Sequence, residues 1–210
     1  MEGTDYHWAD ADLNASHLYL LPVVLQEMEQ LRAASTFGNE NRVFELGCGN
    51  GSVGNVIANN SWDVTGVDPS NEGIALANKN YPNLKLYSGS AYENLATQYG
   101  QFNIVTSLEV VEHLYSPRIY AATLYSLVRP GGVAIVSTPY HGYIKNLVLA
   151  ISGKLDEHFT ALWDNGHIKF WSVKTLTRLL KEAGFDQIRF IKVGRVPCVA
   201  KSMIAIAKKP

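Results

Sequence analysis

The sequence predicts an α/β fold: a doubly wound, mostly parallel seven-stranded sheet that finishes in an antiparallel C-terminal strand hairpin. Three observations predict it. From Arg42 to Ser137 short apolar runs alternate with stretches of helical periodicity, the pattern of successive βαβ units. The first run, residues 42–46, breaks at the glycine-rich turn Gly47-Cys48-Gly49-Asn50-Gly51 and passes directly into a helical pattern. The last two runs, residues 188–193 and 203–207, are separated only by the loop from Gly194 to Lys201, which is too short for a parallel crossover.

The elements follow in order. An amphipathic pattern from Leu18 to Leu31 predicts an N-terminal helix packed on the sheet, and residues 34–41 form a polar connection. Strand 42–46 leads to a helix over 52–59, strand 63–67 to a helix over 71–80, and strand 84–87 to a short helix over 92–99. Strand 102–107 precedes a helix over 117–127, for which Ser116 is the N-cap and Pro117 sits in the first turn. Strand 133–137 follows Pro130-Gly131-Gly132. Thirty-odd residues then intervene before a helix capped by Ser172, longer than an ordinary crossover connection.

The 210 residues suit a single domain, 1–210, with an N-terminal helical segment over 1–34 and a lid-like insertion over 139–171. Eighteen basic and nineteen acidic residues give a net charge of -1, so no global field attracts nucleic acid, and none is expected as a partner. Two cysteines, Cys48 and Cys198, do not make a disulfide framework. The acidic, polar start carries no signal peptide and no apolar run reaches the length of a membrane span, so a cytoplasmic location is expected.

The glycine turn is read as a cofactor loop. Gly49-x-Gly51-x-x-Gly54 formally matches a dinucleotide fingerprint, but Glu45 stands on the strand just before Gly47, where a pyrophosphate would be repelled. The string Glu45-Leu46-Gly47-Cys48-Gly49-Asn50-Gly51 resembles the first motif of the class I S-adenosylmethionine-dependent methyltransferases, whose acidic residue faces the cationic end of the cofactor. The reversed last strand is also a feature of that Rossmann-like sheet, and the resemblance covers Arg42 to Lys208. It implies S-adenosyl-L-methionine as cofactor, held by Glu45, Gly47, Cys48, Gly49 and Gly51, with Asp68, followed by Pro69, on the ribose hydroxyls. Ser90 and the Ala91 amide stand where many members carry an aspartate toward the adenine, and Ser107 and Leu108 would flank the methionine end. Tyr6 and Trp8 are candidates to clamp the cofactor from the N-terminal segment.

The chemistry is expected in Ser107-Leu108-Glu109-Val110-Val111-Glu112-His113-Leu114. Glu109, Glu112 and His113 lie at i, i+3 and i+4, which on a helical turn share one face, and such a set would repel itself without a cation. This string resembles the ubiquinone-biosynthesis O-methyltransferases, which act on catechol-type rings, and the small-RNA 2′-O-methyltransferases, which coordinate magnesium through such residues. The resemblance implies catalytic roles for Glu109, Glu112 and His113, which would also hold Mg2+ or another divalent cation. His141, His158 and His167 are candidates for a further ligand, with His167 favoured because a similar histidine-lysine-phenylalanine stretch occurs in the ubiquinone group. Without a metal, His113 is the natural general base.

The insertion carries Tyr140, the run Leu147-Val148-Leu149-Ala150-Ile151, Trp163 and Phe170, which suit a cover over an aromatic or lipophilic small-molecule acceptor and a peripheral contact with a membrane. The alternatives are a sugar, natural-product or nitrogen acceptor, and a catalytically inactive cofactor-binding partner protein.

Overall fold

The computed structural model describes Trp8 and residues 10–34, 40–164 and 166–210. Seven strands, β1 (Arg42–Leu46), β2 (Asp63–Asp68), β3 (Lys85–Ser88), β4 (Phe102–Leu108), β5 (Val128–Pro139), β6 (Asp186–Val193) and β7 (Ser202–Lys208), form one sheet in the order β3-β2-β1-β4-β5-β7-β6. β1 to β5 pair in parallel, and β7 runs antiparallel to both β5 and β6, as the C-terminal runs predict. Strand order reverses between β1 and β4, which opens a crevice beyond their carboxyl ends.

The two-residue period of each strand sorts its side chains between two cores. Val43, Ile104, Ile135, Ile204 and Ile206 face α1 (His17–Ala33) and α2 (Ser52–Asn59). Phe44, Leu46, Val105, Val136, Met203 and Ala205 face α4 (Leu95–Tyr99), α5 (Pro117–Leu127) and α8 (Val173–Glu182). Glu45 falls by the same alternation on the α2 side. α3 (Asn71–Asn80) covers β2 and β3, its first turn capped by Ser70 Oγ accepting from Gly73 N at 3.0 Å.

Three local expectations shift. β5 begins at Val128, because Pro130-Gly131-Gly132 is taken into the strand as a bulge: Gly131 adopts φ 76° and the register against β4 slips between Phe102 and Ile104. α4 is shorter than 92–99, since Ser90 to Glu93 form a turn before it. Ser116 precedes α5 without a side-chain cap, leaving Pro117 to set the start.

The insertion folds into α6 (Tyr143–Ile151) and α7 (Leu155–Phe159). Its neck is closed by His141 N donating to the Trp171 carbonyl at 2.9 Å, and Ser172 and Thr175 cap α8 reciprocally just beyond.

Candidate active site

β1 delivers the chain into the glycine turn under the crevice. Gly47 N and Cys48 N both donate to the Val67 carbonyl, at 2.8 and 3.0 Å, which ties the turn to β2. Gly47 (φ 88°) and Gly49 (φ 50°) occupy the left-handed region, and a Cβ on Gly49 would stand 2.5 Å from the Trp8 ring. The N-terminal segment crosses the turn there: Asn50 Nδ2 donates to the Asp10 and Asp12 carbonyls at 3.0 Å, and Tyr81 OH donates to the Ala11 carbonyl at 2.7 Å. The Trp8 ring therefore lies against the glycine turn, whereas Tyr6 lies outside the described residues.

A cavity of about 670 Å³ runs from this turn to the insertion. Glu45, Gly47, Cys48, Gly49, Asp68, Pro69 and Leu108 line one end of it. Asp68 is already aimed: Oδ2 accepts from Gly49 N and Oδ1 from Ser70 N, each at 2.9 Å. Glu45 is 2 % exposed, and its Oε2 has no hydrogen-bond partner. Burial, and then the charge of Asp68, push its carboxyl well above the usual range. A buried acid held this way gains by an incoming ammonium or sulfonium, which is the electrostatic fit to the expected cofactor.

Four expected cofactor residues do not line the cavity. Gly51 caps α2 at φ 77° and abuts Leu86 and Ala77, so it serves packing. Ser107 Oγ donates to the Leu46 carbonyl at 2.9 Å inside the sheet. Ser90 Oγ accepts from Tyr92 N within its own turn, and Ala91 joins the core beside Leu95.

The helical-face expectation for Glu109, Glu112 and His113 is corrected. Glu109 adopts φ 55°, and only Val111–His113 form a 3₁₀ turn, so the Glu109 side chain parts from those of Glu112 and His113. Glu109 turns toward β5 and β7, where Ser137 Oγ and Ser202 Oγ donate to its two oxygens at 2.8 and 3.4 Å. Burial lifts its carboxyl to about 7. Glu112 and His113 instead meet His167, and ligand atoms of these three lie within 4.8 Å of one another. Backbone bonds arrange this meeting: Ile168 N and Lys169 N both donate to the Glu112 carbonyl at 2.9 Å, and Trp171 Nε1 donates to the Val111 carbonyl at 3.3 Å.

The donor set of this trio fits a divalent cation. Glu112 is 1 % exposed and neither carboxylate oxygen has a hydrogen-bond partner, while burial and the neighbouring Glu109 push its carboxyl well up. Its Oε1 lies 4.0 Å from His167 Nε2. Burial, and then His113, lower the His167 imidazole to about 4, so it stays neutral and able to ligate at neutral pH. His113 Nδ1 stands 3.2 Å from the Gly166 carbonyl, which can only accept; that tautomer carries its lone pair on Nε2. His141 and His158 lie further along the cavity, with ring centroids 5.3 Å apart.

Sequence reasoning missed the cations of the far wall. Lys145 on α6, with Arg195 and Lys201 from the β6–β7 loop, lines the same cavity. Lys145 sits in an apolar string that gives no hint of its direction.

Comparison with known proteins agrees with this geometry. A ubiquinone biosynthesis O-methyltransferase of Psychrobacter arcticus is 29 % identical over 173 residues, covering 78 % of this chain and 66 % of its own length. Its counterpart in Roseobacter denitrificans is 32 % identical over 153 residues, covering 70 % and 60 %. The chain therefore spans somewhat less than two thirds of these curated relatives. Among solved structures, magnesium protoporphyrin IX methyltransferase from Synechocystis PCC 6803 with bound SAH superimposes with a TM-score of 0.66 at 19 % identity, over 90 % of this chain and 83 % of that one. An S-adenosylmethionine-dependent methyltransferase from Archaeoglobus fulgidus gives 0.63 at 17 %, over 88 % and 94 %. These two share the fold. The sequence model of the methyltransferase domain matches residues 23–189, most of the chain, and this protein belongs to the methyltransferase domain family.

Proposed function

We propose that this chain is an S-adenosylmethionine-dependent O-methyltransferase acting on a small aromatic, catechol- or quinol-like hydroxyl, with a divalent cation held by Glu112, His113 and His167. One observation carries the reading: the buried Glu112 carboxylate, without a hydrogen-bond donor, meets two imidazoles, and both imidazoles line the cavity that also contains Glu45, the glycine turn and Asp68. The name of the curated relatives supports the same acceptor class.

When bound, S-adenosylmethionine supplies a methyl group on a positive sulfur, and a divalent cation supplies the charge that lowers a phenol from its ordinary pKa of roughly 10. The residues of this chain do the rest. Asp68, fixed by two backbone amides, would accept from the ribose hydroxyls. Glu45, raised by burial and by Asp68, would ionise against the ammonium of the cofactor. His113, oriented through Nδ1 by the Gly166 carbonyl, presents Nε2 to the cation, and without a cation the same Nε2 would take the acceptor's proton. Trp163 and Phe170 line the acceptor end and would present their faces to an aromatic ring there.

On this reading the acceptor is a small molecule, and the net charge of -1 supplies no general attraction for nucleic acid. Among the described residues no helix is long and apolar enough to cross a membrane. α6 nevertheless turns Tyr143, Ile144, Leu147 and Ile151 outward, and this face supports a peripheral membrane contact suited to a lipophilic acceptor. Free thiols at Cys48 and Cys198 agree with the cytoplasm.

The test is calorimetric titration with S-adenosylhomocysteine, then with Mg2+ or Mn2+ on the loaded protein, followed by methyl transfer to catechol. Binding of both, with the metal isotherm lost in Glu112→Gln and His167→Ala, supports the reading. Transfer to catechol that is indifferent to chelators removes the cation and leaves His113 as sole base. No cofactor binding overturns the function.

A further inference from the structure

α6 is folded inside out. Its buried residue is the charged one: Lys145 is 8 % exposed, while Tyr143 beside it is 97 % exposed and Ile144, Leu147 and Ile151 also face outward, with Val148 and Leu149 at the cavity edge. A lone amphipathic helix would bury the reverse. The Lys145 ammonium points into the cavity, where its hydrogen-bond acceptor is the Lys201 carbonyl at 3.4 Å.

Its surroundings are cationic. Arg195, from the β6–β7 loop, is near enough for its charge to act with burial in lowering the Lys145 amino group to about 8, an effect that Glu109 opposes from the other side. His141 and His158 both feel the Lys145 charge. Lys201 closes the rim, its ammonium 5.3 Å from the Tyr19 ring centroid. Among the described residues no carboxylate forms an ion pair with Lys145, Arg195 or Lys201. Glu109, the acid nearest this group, is occupied by the hydroxyls of Ser137 and Ser202. A half-desolvated ammonium beside a guanidinium, with no anion between them, is unfavourable unless a ligand supplies one.

The position says which ligand. The cations stand at the β5 and β7 end of the cavity, on the lid and the β6–β7 loop, whereas the glycine turn and Asp68 lie across the sheet at β1 and β2. They belong to the acceptor's end. Trp163 and Phe170 line that end as well.

We propose that the acceptor is a hydroxylated aromatic acid whose carboxylate is bound by Lys145 and Arg195, with Lys201 at the rim. The proposal rests on the methyltransferase function given above and specifies its substrate class. A charge-assisted pair of this kind discriminates an acid from its neutral ester by tenfold or more.

The experiment uses the full chain loaded with S-adenosylhomocysteine and Mg2+, and three probes: 3,4-dihydroxybenzoate, its methyl ester and benzoate. The expected result is that the dihydroxy acid binds at least tenfold tighter than the ester. Lys145→Met and Arg195→Met each remove that preference, leave ester binding within about threefold, and leave S-adenosylhomocysteine affinity and the melting temperature unchanged. Equal binding of acid and ester overturns the proposal while O-methylation stands. Weakening of S-adenosylhomocysteine in proportion in both variants also overturns it, because the cations would then serve the cofactor. Failure of both dihydroxy probes with Lys145-dependent binding of benzoate upholds the anion site and refutes the catechol reading. If neither acid binds, the proposal fails.

Discussion

Glu45→Gln tests the electrostatic logic of the cofactor end. The wild-type carboxyl is 2 % exposed, lacks a partner on Oε2 and is pushed well above its usual range by burial and by Asp68. A cofactor ammonium favours the ionised form, so binding below the free-protein pKa expels a proton from Glu45, and affinity rises with pH there. Hydrogen bonds to a charged group contribute about 1.5–3 kcal/mol, so Glu45→Gln weakens S-adenosylhomocysteine by about 10- to 150-fold. Gly54→Ala supplies an independent perturbation of the same atom. An added Cβ would lie 2.7 Å from Glu45 Oε2, closer than such contacts allow, so the carboxyl must swing aside. Alanine at this helical position gains about 1 kcal/mol in propensity, so stability holds while affinity falls. The assay is titration calorimetry in two buffers of different ionisation enthalpy, which counts protons. If Glu45→Gln binds within threefold of wild type and releases the same number of protons, Glu45 has no part in cofactor recognition.

Three further outcomes are expected. Glu109→Gln retains the metal isotherm within about threefold while Glu112→Gln abolishes it, since serines hold Glu109 apart from the trio; equal losses would return Glu109 to the ligand set. His17, buried under the cavity, is lowered to about 4, below its ordinary 6.5, so its stabilising contribution is present above pH 6.5 and lost as pH falls toward 4. That shift corresponds to about 3 kcal/mol, and urea unfolding should show wild type losing this much relative to His17→Gln between pH 7 and 4; parallel curves would refute it. Leu147→Asp with Ile151→Asp should cut sedimentation with anionic lipid vesicles at least tenfold and leave S-adenosylhomocysteine affinity intact, because both side chains lie on the outward face of α6. Unchanged sedimentation would remove the membrane contact.

Most of the sheet was legible because strand periodicity and glycine chemistry are local. Val43 and Phe44 part to opposite cores by alternation alone, and the turn at Gly47 and Gly49 needs left-handed backbone that glycine provides. The site was less legible because it depends on distant backbone. Spacing places Glu109 with Glu112 only if the segment is α-helical; a left-handed residue and a 3₁₀ turn separate them. His167 was singled out by resemblance, whereas its placement beside Glu112, set by two amides donating to the Glu112 carbonyl, leaves no mark in the composition. Lys145 escaped notice because a helix with its apolar side turned out contradicts the rule by which faces are assigned.

The closed neck of the insertion has a bearing on how acceptor choice can change. His141 N donates to the Trp171 carbonyl, so residues 142–170 between them leave the sheet and return at almost the same point. Such a segment behaves as a cassette, and a longer or shorter version adds little closure entropy to the scaffold. This cassette carries Lys145, Trp163 and also His167. Exchanging it would replace the proposed acceptor wall, the proposed anion contact and one imidazole of the proposed cation site in a single event, while Glu45, Asp68 and the glycine turn stayed in place. In chains built on this sheet, acceptor identity and cation dependence are therefore expected to change together.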